Sequence, residues 1–224
     1  MKREIVLVAI GLGVSACAGE VVESEEMAAT ETAACKKEFT LSSPSFEDGE
    51  PLPYESTCEG QPFASGITPK LHWSKAPRRT KSYALVLKDT SLVETTPNRA
   101  FHWVAWDIPS SVTSLPRGLE SVQFPKKLKG GQQRSSRTAA PYAYFGPCPA
   151  WENLCSDGAV PRANDSYAFV VYAFDSATLA LPPHDPAFTN PARELAAFFE
   201  SAAIDSAELT FTSDARPSSF SSCP

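Results

Sequence analysis

Three histidines and six cysteines carry most of the reactive chemistry available to this chain. The histidines, His72, His102 and His184, lie far from the spacing of zinc ligands and no CxxC pair accompanies them, so we expect no metal. Neither GxSxG nor HExxH occurs, and no Ser/His/Asp set stands in a recognisable context. Since so few general bases are available to a hydrolase, the sequence predicts a protein that is not an enzyme and has no catalytic residues.

The cysteines are typical of a protein that leaves the reducing cytoplasm. Cys17 ends the segment VSAC, which resembles the bacterial lipobox, whose cysteine receives a lipid after cleavage. The alternative is an ordinary signal peptide with a chance cysteine. Five cysteines remain as candidates for disulfides: Cys35, Cys58, Cys148, Cys155 and Cys223.

Five thiols can form at most two bridges, so one should stay free, and the sequence leaves the pairing open. Cys148 and Cys155 are close enough in sequence to close a small loop, which makes them the first expected pair. Cys223 would then join the carboxy terminus to Cys35 or to Cys58.

The amino-terminal segment indicates export. Lys2 and Arg3 precede the uncharged apolar run 5–14, which is shorter than the ~20 residues that span a bilayer. Residues 18–34 are rich in glutamate and contain no basic residue, which favours a disordered tether, with a short solvated helix as the alternative. We predict a signal peptide at 1–16, a lipidated tether at 17–34 and one domain at 35–224, in the cell envelope. The absence of aspartate after Cys17 favours the outer membrane.

The composition predicts a fold that is mainly β. The chain has 20 prolines and few long amphipathic helical patterns. Predicted strands cover 37–42, 71–73, 82–88, 102–108, 167–175 and 208–212, and one helix covers 191–203. A net charge of -6 without long basic stretches argues against nucleic-acid binding.

Several motifs follow one another in a fixed order. FTLSSP at 39–44 is followed by TPKLHW at 68–73, TKSYAL at 80–85, HWV at 102–104 and YFGPCP at 144–149. This ordered set resembles the phosphatidylethanolamine-binding protein family, especially its bacterial Raf-kinase-inhibitor-like branch. The resemblance implies antiparallel β-sheets packed face to face, with a few short flanking helices. It also implies a small pocket for anionic or zwitterionic groups such as phosphate or phosphoethanolamine, without a cofactor.

Carried over residue by residue, the resemblance places Asp89, His102, Gly146 and Pro147 in this pocket. The imidazole would donate to a phosphate oxygen, and a nearby carboxylate would fix its tautomer or keep it charged. The glycine turn would let backbone N–H groups approach the anion. The expected aromatic walls are Phe101, Trp103, Tyr144, Phe145 and Tyr167.

Two departures from the family pattern change the expected chemistry. The segment from Asp89 keeps only the first acid of the family's D-P-D loop, and Asp165-Ser166 stands where a histidine–arginine pair would precede Tyr167. A second carboxylate would repel phosphate and raise a carboxyl pKa. The site would then prefer a cationic or zwitterionic group, recruit a base from Arg162 or from the loop 126–137, or have lost its ligand.

The leading hypothesis is a non-catalytic, lipid-anchored protein that binds a small phosphorylated or zwitterionic ligand. The alternative is a protein-interaction module, similar to relatives that inhibit kinases or proteases through surface loops. The insertion at 150–164 motivates that alternative, and the partner would then be another protein.

Overall fold

The long apolar runs of the sequence form the middle of a five-stranded antiparallel sheet, where both of their faces are buried. The computed structural model describes residues 38–59, 66–149 and 164–215. The large sheet has the order β6-β4-β3-β7-β8. Its strands are β3 (Ser82–Asp89), β4 (Phe101–Pro109), β6 (Gln132–Ser135), β7 (Asp165–Phe174) and β8 (Asp205–Ser213).

A small three-stranded sheet packs on one face of the large one. It consists of β1 (Thr40–Ser42), β2 (Leu71–Ser74) and β5 (Ser114–Leu115), in the antiparallel order β1-β2-β5. Trp73 of the small sheet meets Tyr83 of the large sheet with ring centroids 5.5 Å apart. The main hydrophobic core therefore lies between the two sheets.

The opposite face of the large sheet is covered by α2 (Pro191–Ala202). Asn190 caps this helix by accepting hydrogen bonds from the backbone N–H groups of Ala192 and Arg193, and Pro191 occupies its first turn. Phe199 packs against the sheet in a second hydrophobic cluster. The short helix α1 (Pro97–Ala100) leads directly into β4.

This architecture confirms the predicted fold class. Two strands, β5 and β6, and the short helix α1 are absent from the sequence prediction. The two strands are short and carry no apolar alternation, and β6, reading QQRS, lies inside the segment interpreted as a basic loop. The first strand begins at Thr40 rather than at residue 37. Strand β7 begins at Asp165, two residues earlier than predicted, which brings Asp165 into the sheet.

The disulfide found in the described chain joins Cys58 to Cys148, with Cα atoms 5.4 Å apart. The expected pairing of Cys148 with Cys155 is therefore wrong, and so is a bridge from Cys58 to Cys223. Nearness in sequence was a poor guide, because the turn at 144–149 packs against residues 54–58. The backbone N–H of Cys58 donates to the Pro147 carbonyl at 3.1 Å, beside the bridge.

Several predictions concern segments outside the described residues. These are the signal peptide, Cys17 and its tether, three cysteines (Cys35, Cys155 and Cys223), Arg162 and most of the insertion 150–164. In the portion that the structure does describe, no helix combines the length and apolarity that crossing a membrane requires.

Candidate functional site

The ends of three neighbouring central strands bring the candidate residues together. Asp89 is the last residue of β3 and pairs directly with Tyr167, near the start of β7. His102 is the second residue of β4, which runs antiparallel to β3 on its other side. Because antiparallel neighbours alternate ends, the carboxylate, the phenol and the imidazole lie at one end of the sheet.

A cavity of about 490 Å³ opens at this end of the sheet, and we call it the first cavity. A volume of that size suits a small ligand. Five of the predicted residues line it: Asp89, His102, Phe145, Asp165 and Tyr167. The other lining residues are Leu92, Asn98, Arg99, Ser136, Arg137, Cys148, Pro149, Thr189 and Asn190.

Aromatic rings hold His102 in place. Its imidazole stacks on Phe145 with centroids 5.0 Å apart and planes at 16°, and it meets the Tyr167 ring edge-on at 5.6 Å. The Arg137 guanidinium lies over the Phe145 ring, 5.0 Å from its centroid. The imidazole therefore has its orientation fixed by packing on two sides.

The imidazole is neutral at physiological pH. Burial lowers the pKa of His102 to about 4, although backbone groups of Gly146 and Phe145 partly oppose the shift. Within the described residues, no carboxylate forms a hydrogen bond with this side chain. The expectation that a neighbouring carboxylate keeps His102 charged is thus wrong, because desolvation dominates.

One polar atom at this site is buried without a partner. Nδ1 of His102 has no hydrogen-bond partner among the described residues, whereas the Tyr167 hydroxyl interacts with the Asp89 carboxylate. A buried polar group without a partner costs about 1–3 kcal/mol, so such atoms are rare in folded proteins. This imidazole nitrogen on the wall of the cavity is therefore available to hydrogen-bond a ligand.

Asp89 is an ionisable carboxyl group at a buried position. It is 1% exposed, and its Oδ1 accepts hydrogen bonds from the backbone N–H groups of Ser91 at 2.9 Å and Leu92 at 3.2 Å. Burial raises the pKa of Asp89 to about 6, and the negative charge of Asp165 adds to the increase, while Tyr167 and the two N–H groups oppose it.

The pKa values of Asp165 and Tyr167 are also raised in this cavity. Burial raises the pKa of the Asp165 carboxyl. The pKa of Tyr167 is also raised, first by burial and then by the negative charges of Asp89 and Asp165, so the phenol keeps its proton. The sequence-based expectation that two carboxylates share this site and that one of them has a raised pKa agrees with this geometry.

Positive groups line the same cavity. Arg99 precedes β4 by two residues, and Arg137 follows β6 by two residues. Burial lowers the pKa of the Arg137 guanidinium, which still remains charged because its reference value lies far above neutrality. The cavity thus combines two guanidinium groups with two carboxyl groups. Among the residues with described positions, no group of three or more His, Cys, Asp or Glu could hold a metal ion.

Comparison with known proteins decides the family. The profile described as "Phosphatidylethanolamine-binding protein" matches residues 42–214. The chain belongs to this family. A UPF0098 protein from Aquifex aeolicus is 33% identical over 142 residues, which cover 62% of this chain and 70% of that protein. The "Putative lipoprotein LppC" of Mycobacterium tuberculosis is 29% identical over 155 residues, which cover 69% of this chain and 64% of LppC.

Solved structures agree with the phosphatidylethanolamine-binding protein fold. A homologue from Chlamydia trachomatis superimposes with a TM-score of 0.53 at 25% identity, covering 78% of this chain and 96% of that chain. YbcL of Escherichia coli gives a TM-score of 0.55 at 22% identity, covering 80% and 99% respectively, and supports the fold alone.

Several residues that the family motifs placed in the pocket lie elsewhere. Tyr144 and Trp103 belong to the core between the sheets, and the Tyr144 hydroxyl donates to the Ser56 carbonyl at 3.2 Å. Phe101 packs toward the cluster under α2. These three side chains are not cavity walls, because their positions on the strands and the turn direct them into the two cores.

Gly146 and Pro147 support the first cavity without lining it. A Cβ at Gly146 would lie 2.3 Å from the Ser56 carbonyl oxygen, so only glycine lets the two backbones pack this closely. The Pro147 carbonyl accepts from Cys58. Gly146 and Pro147 therefore hold Phe145 and Cys148 in the cavity wall. They do not line the cavity themselves, so they do not offer the predicted backbone donors to an anion.

The sequence prediction missed three residues that line the first cavity: Asn98, Arg99 and Asn190. Asn98 and Arg99 lie four and three residues before His102 of the HWV motif, and this proximity was the available signal. Asn190 is buried and donates hydrogen bonds to the carbonyls of Asn98 and Phe101 at 2.8 Å each. Of the basic residues expected from loop 126–137, Arg137 is the one that lines this cavity.

Proposed function

We propose that this protein is a non-catalytic, lipid-anchored binding protein of the bacterial envelope, and that its first cavity takes a small zwitterionic head group such as phosphoethanolamine. The observation that carries the proposal is the pairing of charges in one cavity. Arg99 and Arg137 provide positive charge, while Asp89 and Asp165 provide negative charge beside a neutral His102.

A zwitterion satisfies both halves of this charge pattern. Its phosphate would accept hydrogen bonds from guanidinium groups, which bind such oxygens in a fork, and from an imidazole N–H. Its ammonium would be neutralised by the carboxylates, which would relieve the repulsion between Asp89 and Asp165. Inorganic phosphate alone would leave that repulsion in place and should bind less well.

The lipid anchor is supported by the VSAC segment and by similarity to the relative named "Putative lipoprotein LppC". We expect metabolic labelling with palmitate to mark the wild-type protein and to be lost in Cys17→Ser. Cys35→Ser is the matched control, which should retain the label. Equal labelling of both variants would contradict an anchor at Cys17.

Head-group binding is tested by thermal unfolding of the full-length protein with phosphoethanolamine, inorganic phosphate, ethanolamine or choline. A ligand that binds only the folded state stabilises it by about 2.7 kcal/mol at one hundred times its dissociation constant. We expect phosphoethanolamine to give the largest increase in melting temperature. Larger shifts with phosphate would instead indicate an anion site.

His102→Ala should remove most of this stabilisation, because it deletes the imidazole whose Nδ1 has no hydrogen-bond partner among the described residues. His72→Ala is the matched control, since His72 lies exposed on β2 in the small sheet. Stabilisation that persists unchanged in His102→Ala, or is lost equally in His72→Ala, would contradict the proposed site.

A further inference from the structure

A second cavity, of about 650 Å³, lies beside the start of α2, and Thr189 is the residue it shares with the first cavity. Its walls come from the sheet and from the segment that enters the helix. Trp106 of β4 and Arg134 of β6 line it from the sheet, and Phe188 and Leu195 contribute apolar surface. The phosphatidylethanolamine-binding chemistry described above uses none of these four side chains.

The sheet places Trp106 and Arg134 on the same face. Arg134 pairs with Val104 across β4 and β6, and side chains two residues apart on a strand share a face. Val104 and Trp106 both belong to the cluster under α2, so Arg134 points toward that side as well. Diagonal neighbours of this kind lie about 7–8 Å apart, within reach of a single ligand group.

Both residues carry a buried donor without an acceptor. Across the described chain, neither Nε1 of Trp106 nor Nε of Arg134 has a hydrogen-bond partner, and Trp106 is 5% exposed. The guanidinium also has no ion pair with any described residue. Two unsatisfied donors and no unsatisfied acceptor on this wall favour a ligand that accepts hydrogen bonds and carries negative charge.

The acid in the second cavity does not satisfy Arg134. Glu194 accepts a hydrogen bond from the backbone N–H of Asp185 at 2.6 Å and is paired with Nδ1 of His184 at 2.7 Å. Both of its oxygens are therefore engaged. A cationic ligand would find no free carboxylate here, whereas an anion would find a free guanidinium.

We propose that the second cavity binds a small amphipathic acid. The carboxylate would accept hydrogen bonds from the guanidinium of Arg134 and from the indole N–H of Trp106, because the planar fork of arginine matches carboxylate geometry. The apolar body would lie against Leu181, Phe188 and Leu195, and Leu181 is among the few large apolar side chains of the described chain that are exposed.

Calorimetric titration of the full-length protein with decanoate tests the proposal, with decan-1-ol as a probe that keeps the apolar body and lacks the charge. We expect decanoate to bind with one-to-one stoichiometry and decanol to bind at least about tenfold more weakly. Saturation with phosphoethanolamine should leave the decanoate affinity unchanged, since the two cavities differ. Equal affinities for decanoate and decanol would overturn the assignment.

Arg134→Met should weaken decanoate binding at least about tenfold, because it removes the charge and keeps a flexible apolar side chain. Arg117→Met is the matched control, since the Arg117 side chain is 54% exposed, pairs with Glu55 and does not line the cavity. Leu181→Asp provides a second test at an exposed position, where folding should tolerate a charge. The apolar body of decanoate would then lie against a carboxylate that must lose water, so decanoate should bind more weakly by a similar factor. Wild-type affinity in both Arg134→Met and Leu181→Asp, or no decanoate binding at all, would refute the proposal.

Discussion

Replacing Asp89 by asparagine should make the protein more stable at neutral pH. The carboxylate is buried, and its pKa rises from 3.8 to about 6 on folding. Both hydrogen bonds from the backbone of Ser91 and Leu92 end on Oδ1. An asparagine carbonyl at the same position can accept both of them, so the substitution removes the charge and keeps the local turn.

The sign and size of the effect follow from proton linkage. Below about pH 3 the carboxyl is protonated in both states, and wild type and variant should be equally stable. As the pH rises toward 6, the unfolded chain releases this proton and the folded chain retains it, so the wild type loses stability. The difference between 3.8 and about 6 amounts to about 3 kcal/mol, at about 1.4 kcal/mol for each pH unit.

Urea unfolding of the full-length protein between pH 3 and pH 8 measures this difference. Asp89→Asn should match the wild type near pH 3 and exceed it by about 3 kcal/mol above pH 7. Asp175→Asn, at an exposed aspartate just after β7, is the matched control and should show no pH-dependent gain. A difference that does not vary with pH, or a variant that is less stable at pH 7.5, would refute the reasoning.

Three further variants test the support of the first cavity, each through the urea midpoint of the full-length protein. Gly146→Ala should cost about 1–3 kcal/mol, because its Cβ would lie 2.3 Å from the Ser56 carbonyl; an unchanged midpoint would show that the backbones separate freely. Cys58→Ser with Cys148→Ser should cost about 2–5 kcal/mol, since the bridge spans a sequence separation of 90; no loss would contradict its stabilising role. Asn190→Ala should cost about 2 kcal/mol by removing a helix cap and two side-chain donors; a loss confined to a few tenths would mean that water replaces them.

The sequence predicted the central strands well because their signal is local. Runs such as residues 82–88 and 167–175 are rich in β-branched and aromatic side chains, and they form β3 and β7 nearly to the residue. The helix prediction also succeeded, since Asn190, Pro191 and one apolar face give consistent signals. Strand β6, reading QQRS, has no such pattern, because its position depends on pairing with β4.

The family motifs predicted where the first cavity lies but not which motif residues line it. Phe145 faces His102, whereas its neighbours Tyr144 and Gly146 pack against Ser56. A short motif in a turn does not show which of its side chains reach the ligand and which hold the turn. The contributions of Arg99 and Asn190 depend on contacts between distant segments, which the sequence alone cannot show.

Several groups around the first cavity lower the free energy of unfolding, although the surrounding fold is stabilised by its cores and a disulfide. Asp89 is a buried carboxylate with a raised pKa, and His102 buries an imidazole nitrogen that has no hydrogen-bond partner among the described residues. Any of these could be exchanged for a neutral or apolar group with a gain in folding free energy. Behind them, the Cys58–Cys148 bridge holds the turn against the neighbouring segment. The destabilising groups lie around a cavity, and a disulfide-linked turn supports them. This arrangement favours a ligand-binding role over a purely structural one.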